Sequence, residues 1–275
     1  MPELPEVEVS RLGLEPAICG RRIADAVFRT PALRHPLPPA LATRVLGLRV
    51  DALLRRGKYL LFDCESSAGG GWLIIHLGMS GSLRLVAPGT PPARHDHVDI
   101  AFGSTVMRLR DPRRFGAVLW HEGPEVGTHP LLQPLGIEPL SAEFDGDWLY
   151  AALRRRHGPV KPVLMDSHLI VGIGNIYAAE SLFRAGIAPQ QAADRISAAR
   201  CATLAIAIRD TLAEAVAAGG SSVRDYLHSD GGAGCFQLTH AVYDRTGEPC
   251  RQCATPIRQL RQGGRSSFYC PHCQH

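Results

Sequence analysis

The chain begins Met1-Pro2-Glu3-Leu4-Pro5-Glu6-Val7-Glu8. Removal of Met1, which a small second residue permits, would leave Pro2 as a free secondary amine with a carboxylate on the next residue. Such an amine has a pKa near that of an ordinary α-amino group, about 8, so a neutral fraction exists at physiological pH. Its attack on an aldehyde-level carbon gives an iminium, an electron sink for neighbouring bonds. Glu3 stands where it could pass a proton during that attack. The same residues also suit a plain helix start, with Pro early and Glu3, Glu6 and Glu8 set favourably against the dipole. Taken alone, they need no more than that to explain them.

Two further sets of residues carry chemistry. Of the 30 basic residues all but Lys58 and Lys161 are arginine. Lysine offers a compact ammonium that can lose its proton when buried, so a chain this sparing of it uses at least one of the two where arginine does not serve. Cys250-x2-Cys253 and Cys270-x2-Cys273 enclose 16 residues, the spacing of a four-thiolate zinc site. Gly263-Gly264 between them signals a two-residue hairpin. A lone two-stranded hairpin is marginal, so a metal clamp meets a physical need, and the closed ligand set makes the zinc structural. His272 and His275 are substitute ligands that four thiolates do not require. Cys19, Cys64, Cys201 and Cys235 lack partner spacing and read as small buried apolar residues. Gly172-Ile-Gly-Asn175 opens a helix; it suits either an anion at the helix N-terminus or an ordinary interhelical turn with Asn175 as its cap.

The elements that must position these residues follow from size and pattern. A chain of 275 residues, 45% hydrophobic, can build two domains with separate cores. Its opening residues hold no apolar segment of signal-peptide type, and runs such as Trp72-Leu-Ile-Ile75 are too short to span a membrane, so a cytoplasmic protein is expected. The net charge of +4 is uneven: residues 1–150 carry 16 basic and 17 acidic groups, and residues 151–275 carry 14 and 9. The basic second half suits a polyanion. Periodicity predicts a helix over 5–15 ended or bent by Pro16, then strands at 22–28, 58–62, 72–77, 97–102, 105–110 and 117–120. A Pro- and Gly-rich stretch follows, then helices at 148–157, 162–167, 175–185 and 197–218, and a β-like end around the cysteines. The expected class is α+β: an N-terminal helix on a β-sandwich or barrel, followed by helices and a hairpin. The domain boundaries expected are 1–130, a linker at 131–146, 147–235 and 236–275.

In order along the chain, Pro2-Glu-Leu-Pro-Glu-Val7, Arg56-Gly-Lys-Tyr59, His76-Leu-Gly-Met-Ser-Gly81, His95-Asp-His97, Asp111-Pro-Arg-Arg-Phe-Gly116, Met165-Asp166, Gly172–Ala178, Ser229-Asp230 and Gly264-Arg-Ser-Ser-Phe-Tyr-Cys270 match one pattern. Together they resemble the formamidopyrimidine-DNA glycosylase family, bacterial base-excision enzymes for oxidised purines. The resemblance implies a β-sandwich catalytic domain, a helix–two-turn–helix module and a zinc finger, with damaged double-stranded DNA bound between domains. It implies one structural zinc, no nucleotide cofactor and a monomer that meets DNA at the nucleoid.

Carried over, it makes Pro2 the Schiff-base nucleophile at C1′, Glu3 the proton donor that opens the deoxyribose, and Lys58 the active-site lysine near the damaged base and its phosphate. Met79, Arg113 and Phe115 match the residues that fill the gap left by an extruded base. His76, His95, Asn175 and Arg265 match DNA-contacting positions, the last two gripping phosphates, and Lys161 is expected at the DNA. An extruded base costs a few kcal/mol in unstacking and unpairing, which an apolar wedge partly offsets. The iminium then drives β,δ-elimination, a lyase step. One departure is the stretch Gly231-Gly-Ala-Gly-Cys235, where the family commonly carries a basic residue after the first Gly and an aromatic at 235. It bears on lesion preference within the loop 221–236. Rival readings are an endonuclease VIII-like enzyme for oxidised pyrimidines, against which Leu4, Met79, Arg113 and Phe115 speak, and a non-catalytic DNA-binding paralogue, against which Pro2, Glu3 and Lys58 speak. A zinc-ribbon scaffold for protein partners leaves the 111–116 and 172–175 loops unexplained.

Overall fold

A capping box starts the first helix. In the computed structural model, which describes residues 1–65, 69–221 and 236–275, Glu3 is the extended N-cap of α1 (Leu4–Ile18). Glu6 reaches back to accept the Glu3 N–H at 2.8 Å, and Pro5 sits in the first turn, where no donor is missed. Leu4, Val7, Leu14 and Ile18 are fully buried, while Arg11 bridges Glu8 and Glu15 on the other side, both at 2.9 Å. The helix continues through Pro16, which was expected to end or bend it, as far as Ile18. Pro16 forfeits one backbone bond in the last turn. Burial of Ile18, about 1.5–3 kcal/mol, together with the Cys19 N–H bond to the Glu15 carbonyl at 3.0 Å, offsets that loss.

Contacts gather the described residues into two units, one of residues 1–133 with 218–221 and one of residues 134–217 with 236–275. In the first unit the chain runs through β1 (Asp25–Phe28), α2 (Leu41–Val45), β2 (Arg49–Arg56), β3 (Tyr59–Glu65), β4 (Gly71–His76), β5 (Ser82–Val86), β6 (Asp96–Ala101), β7 (Val106–Arg110) and β8 (Ala117–Glu122). Two antiparallel four-stranded sheets result, in the orders β2-β3-β4-β8 and β1-β6-β7-β5. Inward residues at period two, such as Leu60, Phe62 and Cys64 on β3 and Val98 and Ile100 on β6, share one core with Val7, Leu14 and Ile18 of α1. This is the expected sandwich, with α1 held against β2 by the Glu8–Arg55 pair at 2.8 Å. Three elements were not anticipated: α2, β2 and β5. Strand β1 starts at Asp25 rather than residue 22, because Arg22 makes only an isolated bridge to Arg49.

The second unit holds α3 (Gly146–Leu153), α4 (Val160–Leu164), α5 (Asn175–Arg184), α6 (Ala198–Ala217), β9 (Arg258–Gln262) and β10 (Arg265–Tyr269). Asp145 caps α3 by accepting the Trp148 N–H at 2.7 Å. A Cβ at Gly146 would lie 2.5 Å from the Ala202 Cα, so α3 presses directly on α6. α3 stops four residues before the expected 157, and α4 sits slightly earlier than expected, at 160–164. Glu180, buried on α5, accepts the backbone N–H groups of Ala241, Val242 and Tyr243 at 2.8, 3.0 and 2.8 Å. A charge in an apolar helix face is thereby turned into an anchor for the chain leading to the hairpin. β9 and β10 pair antiparallel with Gly263 and Gly264 both at positive φ, 53° and 78°, as a type I′ turn requires. Among the described residues no helix is long and apolar enough to cross a membrane. Cys64 and Cys201 are buried and Cys19 is half-buried; Cys235 lies outside the described residues.

Candidate active site and nucleic-acid interface

Pro2 and Glu3 are buried at the head of α1. Glu6 organises this end of the chain. One carboxylate oxygen holds the Glu3 N–H, and the other accepts the Ser221 N–H at 2.8 Å. Gly220 approaches so closely, with φ +76°, that a Cβ there would lie 3.1 Å from Glu6 Oε1. Lys58 occupies the two-residue turn between β2 and β3, after Gly57 at φ +56°. Its neighbour Tyr59 pairs across the sheet with His76, and the two rings stand 4.8 Å apart.

The His76 imidazole is held in one state. Nδ1 accepts the Gly78 N–H at 2.9 Å, so in the neutral ring the proton sits on Nε2. Burial, then the nearby Lys58 and Arg34 charges, lower its pKa to about 4. At neutral pH His76 is therefore an uncharged donor beside the cationic Lys58 turn.

Beyond His76 the chain turns at Gly78 and presents Met79, 41% exposed. The 111–116 segment presents Phe115, 43% exposed, with the Arg113 guanidinium 4.8 Å above its ring. Met79 and Phe115 thus stand at loop tips rather than in the core. Gly78, at φ +67°, explains the closeness of the two loops, since a Cβ there would meet the Phe115 carbonyl carbon at 2.3 Å. His95 takes a left-handed conformation, φ 75°, beside this pair of loops, and its carbonyl accepts the Asp111 N–H at 3.0 Å. The first unit therefore brings Met79, Arg113, Phe115 and His95 together around Asp111.

In the second unit, Asn175 and Arg265 line one cavity of about 240 Å³ with Met165, Asp166 and Gln262. Gly174, not Asn175, is the N-cap of α5. Asn175 is instead held by Lys161, whose ammonium donates to its Oδ1 at 2.6 Å. The amide NH₂ is thus left as the group that can face the cavity. Lys161 is 1% exposed and also donates to the Ser266 carbonyl at 3.0 Å and to Ser267 Oγ at 2.9 Å. Expected at the DNA, it lies inside, joining α4, α5 and β10. Sequence reasoning missed this joining role, as it missed Glu6, Ser80 and Asp111 as organisers, although each lies in or beside a stretch it had singled out.

The sulfurs of Cys250, Cys253, Cys270 and Cys273 lie within 4.8 Å of one another, with separations of 3.4, 3.5 and 3.9 Å among them. A tetrahedron of thiolates about 2.3 Å from zinc has edges of about 3.8 Å, so the site fits the ion. The Gln252 and Cys273 N–H groups donate to Cys250 and Cys270 sulfurs, both at 3.4 Å, which supports the thiolate form. The four residues hold one structural zinc ion, which clamps β9–β10 to the chain at 250–253.

The chain thus combines a helix-fronted β-sandwich, a helical module and a zinc-clamped hairpin with a polar cleft at its base. Profiles of the formamidopyrimidine-DNA glycosylase N-terminal domain, of its helix–two-turn–helix domain and of the zinc finger found in that enzyme and in isoleucyl-tRNA synthetase match residues 1–118, 135–226 and 247–275. The formamidopyrimidine-DNA glycosylase of Dechloromonas aromatica is 61% identical over 277 residues, covering all of both chains. Among solved structures, a Lactococcus lactis relative in complex with Fapy-dG-containing DNA superposes with a TM-score of 0.92 at 32% identity, covering all of both chains. The Thermus thermophilus protein gives 0.87 at 39% identity, covering 99% of this chain and 98% of its own. The chain belongs to the formamidopyrimidine-DNA glycosylase family, and is a DNA-binding DNA-repair glycosylase.

Proposed function

We propose that the protein excises oxidised purines, 8-oxoguanine and formamidopyrimidines, from duplex DNA through a covalent bond to Pro2, and then cuts the strand. With Met1 removed, the Pro2 nitrogen attacks C1′ of the everted nucleotide. The C1′–N bond to the base breaks and the base departs with a proton. Glu3 protonates the ring oxygen, opening the sugar to an iminium on Pro2. Loss of a C2′ proton expels the 3′ phosphate, a second elimination expels the 5′ phosphate, and hydrolysis frees Pro2. Lys58 and His76, one cationic and one neutral, stand at adjoining strand ends and suit the flanking phosphate and the base. Met79, Arg113 and Phe115 fill the vacated stack, with Arg113 offering donors to the orphaned cytosine. Asn175 and Arg265 hold phosphates. The zinc supplies structure to the hairpin that carries Arg265 and takes no part in bond breaking.

The observation that carries this reading is the setting of Pro2-Glu3. Pro2 and Glu3 are buried, and Glu6 ties them, through the Glu3 N–H, to the Ser221 backbone instead of leaving the terminus to fray. The capture of Fapy-dG-containing DNA by the Lactococcus lactis relative supports the substrate class. Borohydride reduction during reaction with an 8-oxoguanine·cytosine duplex tests it. A covalent protein–DNA product is expected; strand cutting of an oxidised-thymine duplex with the 8-oxoguanine duplex left intact would favour the pyrimidine enzyme instead. The protein is expected to act as a monomer, without a nucleotide cofactor, in the cytoplasm.

A further inference from the structure

Asp111 lies at the end of β7 with no exposed surface. A buried carboxylate is costly unless its oxygens are hydrogen-bonded, so its partners say what it is for. Oδ1 accepts the Ser80 hydroxyl at 2.9 Å, and Oδ2 accepts the Gly116 N–H at 2.7 Å. The Ser80 hydroxyl, which donates to Asp111, accepts the Arg113 N–H at 3.2 Å. The backbone of Asp111 is held as tightly. Its N–H donates to the His95 carbonyl at 3.0 Å, and its carbonyl accepts from His97 Nε2 at 3.1 Å and from the Arg114 N–H at 3.2 Å. Since a carbonyl only accepts, His97 carries its proton on Nε2.

These bonds join two loops that are distant in sequence. Residues 78–81 carry Met79, and residues 111–116 carry Arg113 and Phe115. The loops also touch backbone to backbone. A Cβ at Gly78 would meet Phe115 at 2.3 Å, and one at Gly116 would meet the His76 carbonyl at 2.9 Å and Asp111 Oδ2 at 3.0 Å. The Arg34 N–H closes the far side on the Gly116 carbonyl at 2.9 Å. Neither loop can move without breaking bonds to the other.

We propose that Asp111, through Ser80, is a positioning residue that makes Met79, Arg113 and Phe115 a single preorganised insert. This rests on the reading of those three side chains as the filler of the vacated stack. A preorganised insert meets the duplex with its ordering cost already met, whereas three independent side chains would each have to be ordered during eversion. The device therefore matters for opening an intact lesion pair and little for an abasic site, where no base remains to be displaced.

Ser80→Ala removes the joint while leaving Asp111 and the fold's volume in place; Asp111→Asn replaces one acceptor by a donor. The test compares single-turnover release of 8-oxoguanine from an intact duplex with borohydride trapping on a preformed abasic duplex, for both variants and the unaltered protein. Ser80→Ala is expected to slow base release about 10-fold, a misplacement effect, with trapping held within about twofold. Base release within about twofold of the unaltered protein, or an equal fall in both reactions, would overturn the proposal, the latter marking a purely structural role. Should Asp111→Asn fail to fold, Ser80→Ala decides. Absence of both reactions in the unaltered protein would sink the glycosylase mechanism itself, and is distinguishable because no variant is needed to see it.

Discussion

Glu6 and Ser221 are joined at 2.8 Å, although 215 residues separate them in the chain. The bond runs from the Ser221 N–H to Oε1 of a carboxylate whose other oxygen holds the N–H of Glu3. The terminus bearing Pro2 and the chain that returns at 220–221 thus share one buried acceptor. Glu6→Gln keeps the size but turns one oxygen into a donor facing an N–H. An unmet buried group costs about 1–3 kcal/mol. The variant should melt earlier and trap more slowly on an abasic duplex; a melting temperature and trapping rate equal to those of the unaltered protein would show that the shared acceptor is dispensable.

Lys161 and Arg265 should behave differently although both are basic and line the same cavity. Arg265 is exposed, and Arg265→Ala should weaken duplex binding and lower the salt dependence by about one released counterion. Lys161 is buried and donates to Asn175, Ser266 and Ser267. Lys161→Met should weaken binding by loosening Asn175 while leaving the salt slope unchanged. Titrations at several salt concentrations separate the two. A slope lowered by one in Lys161→Met would mean a direct phosphate contact.

His76 couples stability to pH. Its pKa falls from about 6.5 in the unfolded chain to about 4 when folded, through burial first and then the Lys58 and Arg34 charges. A lowered folded pKa means stability that is complete above the unfolded value and lost as pH falls toward the folded one. Between pH 6.5 and 4 His76 should therefore cost the fold roughly 3 kcal/mol. His76→Asn, which can still accept from Gly78 but does not titrate, should flatten denaturation midpoints over that window. An unchanged pH profile would place the titration elsewhere.

The zinc-held finger gives a separate test. Its small core includes Cys250, Cys270, Val242, Ile257 and Phe268. Besides that core the hairpin is held by Lys161, through Ser266 and Ser267, and by Gln262 on the Pro189 carbonyl, but among the described residues only the metal fixes the chain at 250–253 to the chain at 270–273. Chelation should expose residues 250–275 to protease and reduce DNA binding in parallel. Full binding by a metal-free sample would uncouple the two.

What the sequence revealed follows how local each feature is. The zinc ligands and the Gly263-Gly264 turn were legible because ligand spacing and turn chemistry are properties of a few adjacent residues. The long helices, and strands at the positions of β3 and β6, were legible for the same reason. Strand β2 was not, since a register shift between Val50 and Ala52 breaks its period and Arg49, Asp51, Arg55 and Arg56 mask its apolar face. α2, five residues long, is too short to show periodicity. Pro16 does not end α1, because tertiary burial of Ile18 outweighs a local rule. The organising carboxylates were invisible for a different reason. Asp111 finds Ser80 31 positions away, and Glu6 finds Ser221 215 away. No local pattern encodes such partners. Family resemblance supplied the residues expected to touch DNA, while the burial of Lys161 against Asn175, Ser266 and Ser267 follows from the fold and from no local pattern. The stretch 231–235, on which a departure from the family pattern was expected, lies outside the described residues.

The most direct measurement is mass spectrometry of the borohydride-reduced reaction between the Met1-free protein and an abasic or 8-oxoguanine duplex. After proteolysis, the sugar remnant should sit on the peptide beginning at Pro2, and protein retaining Met1 should yield none. A remnant on a peptide containing Lys58, or on any peptide other than the terminal one, would contradict Pro2 as the nucleophile.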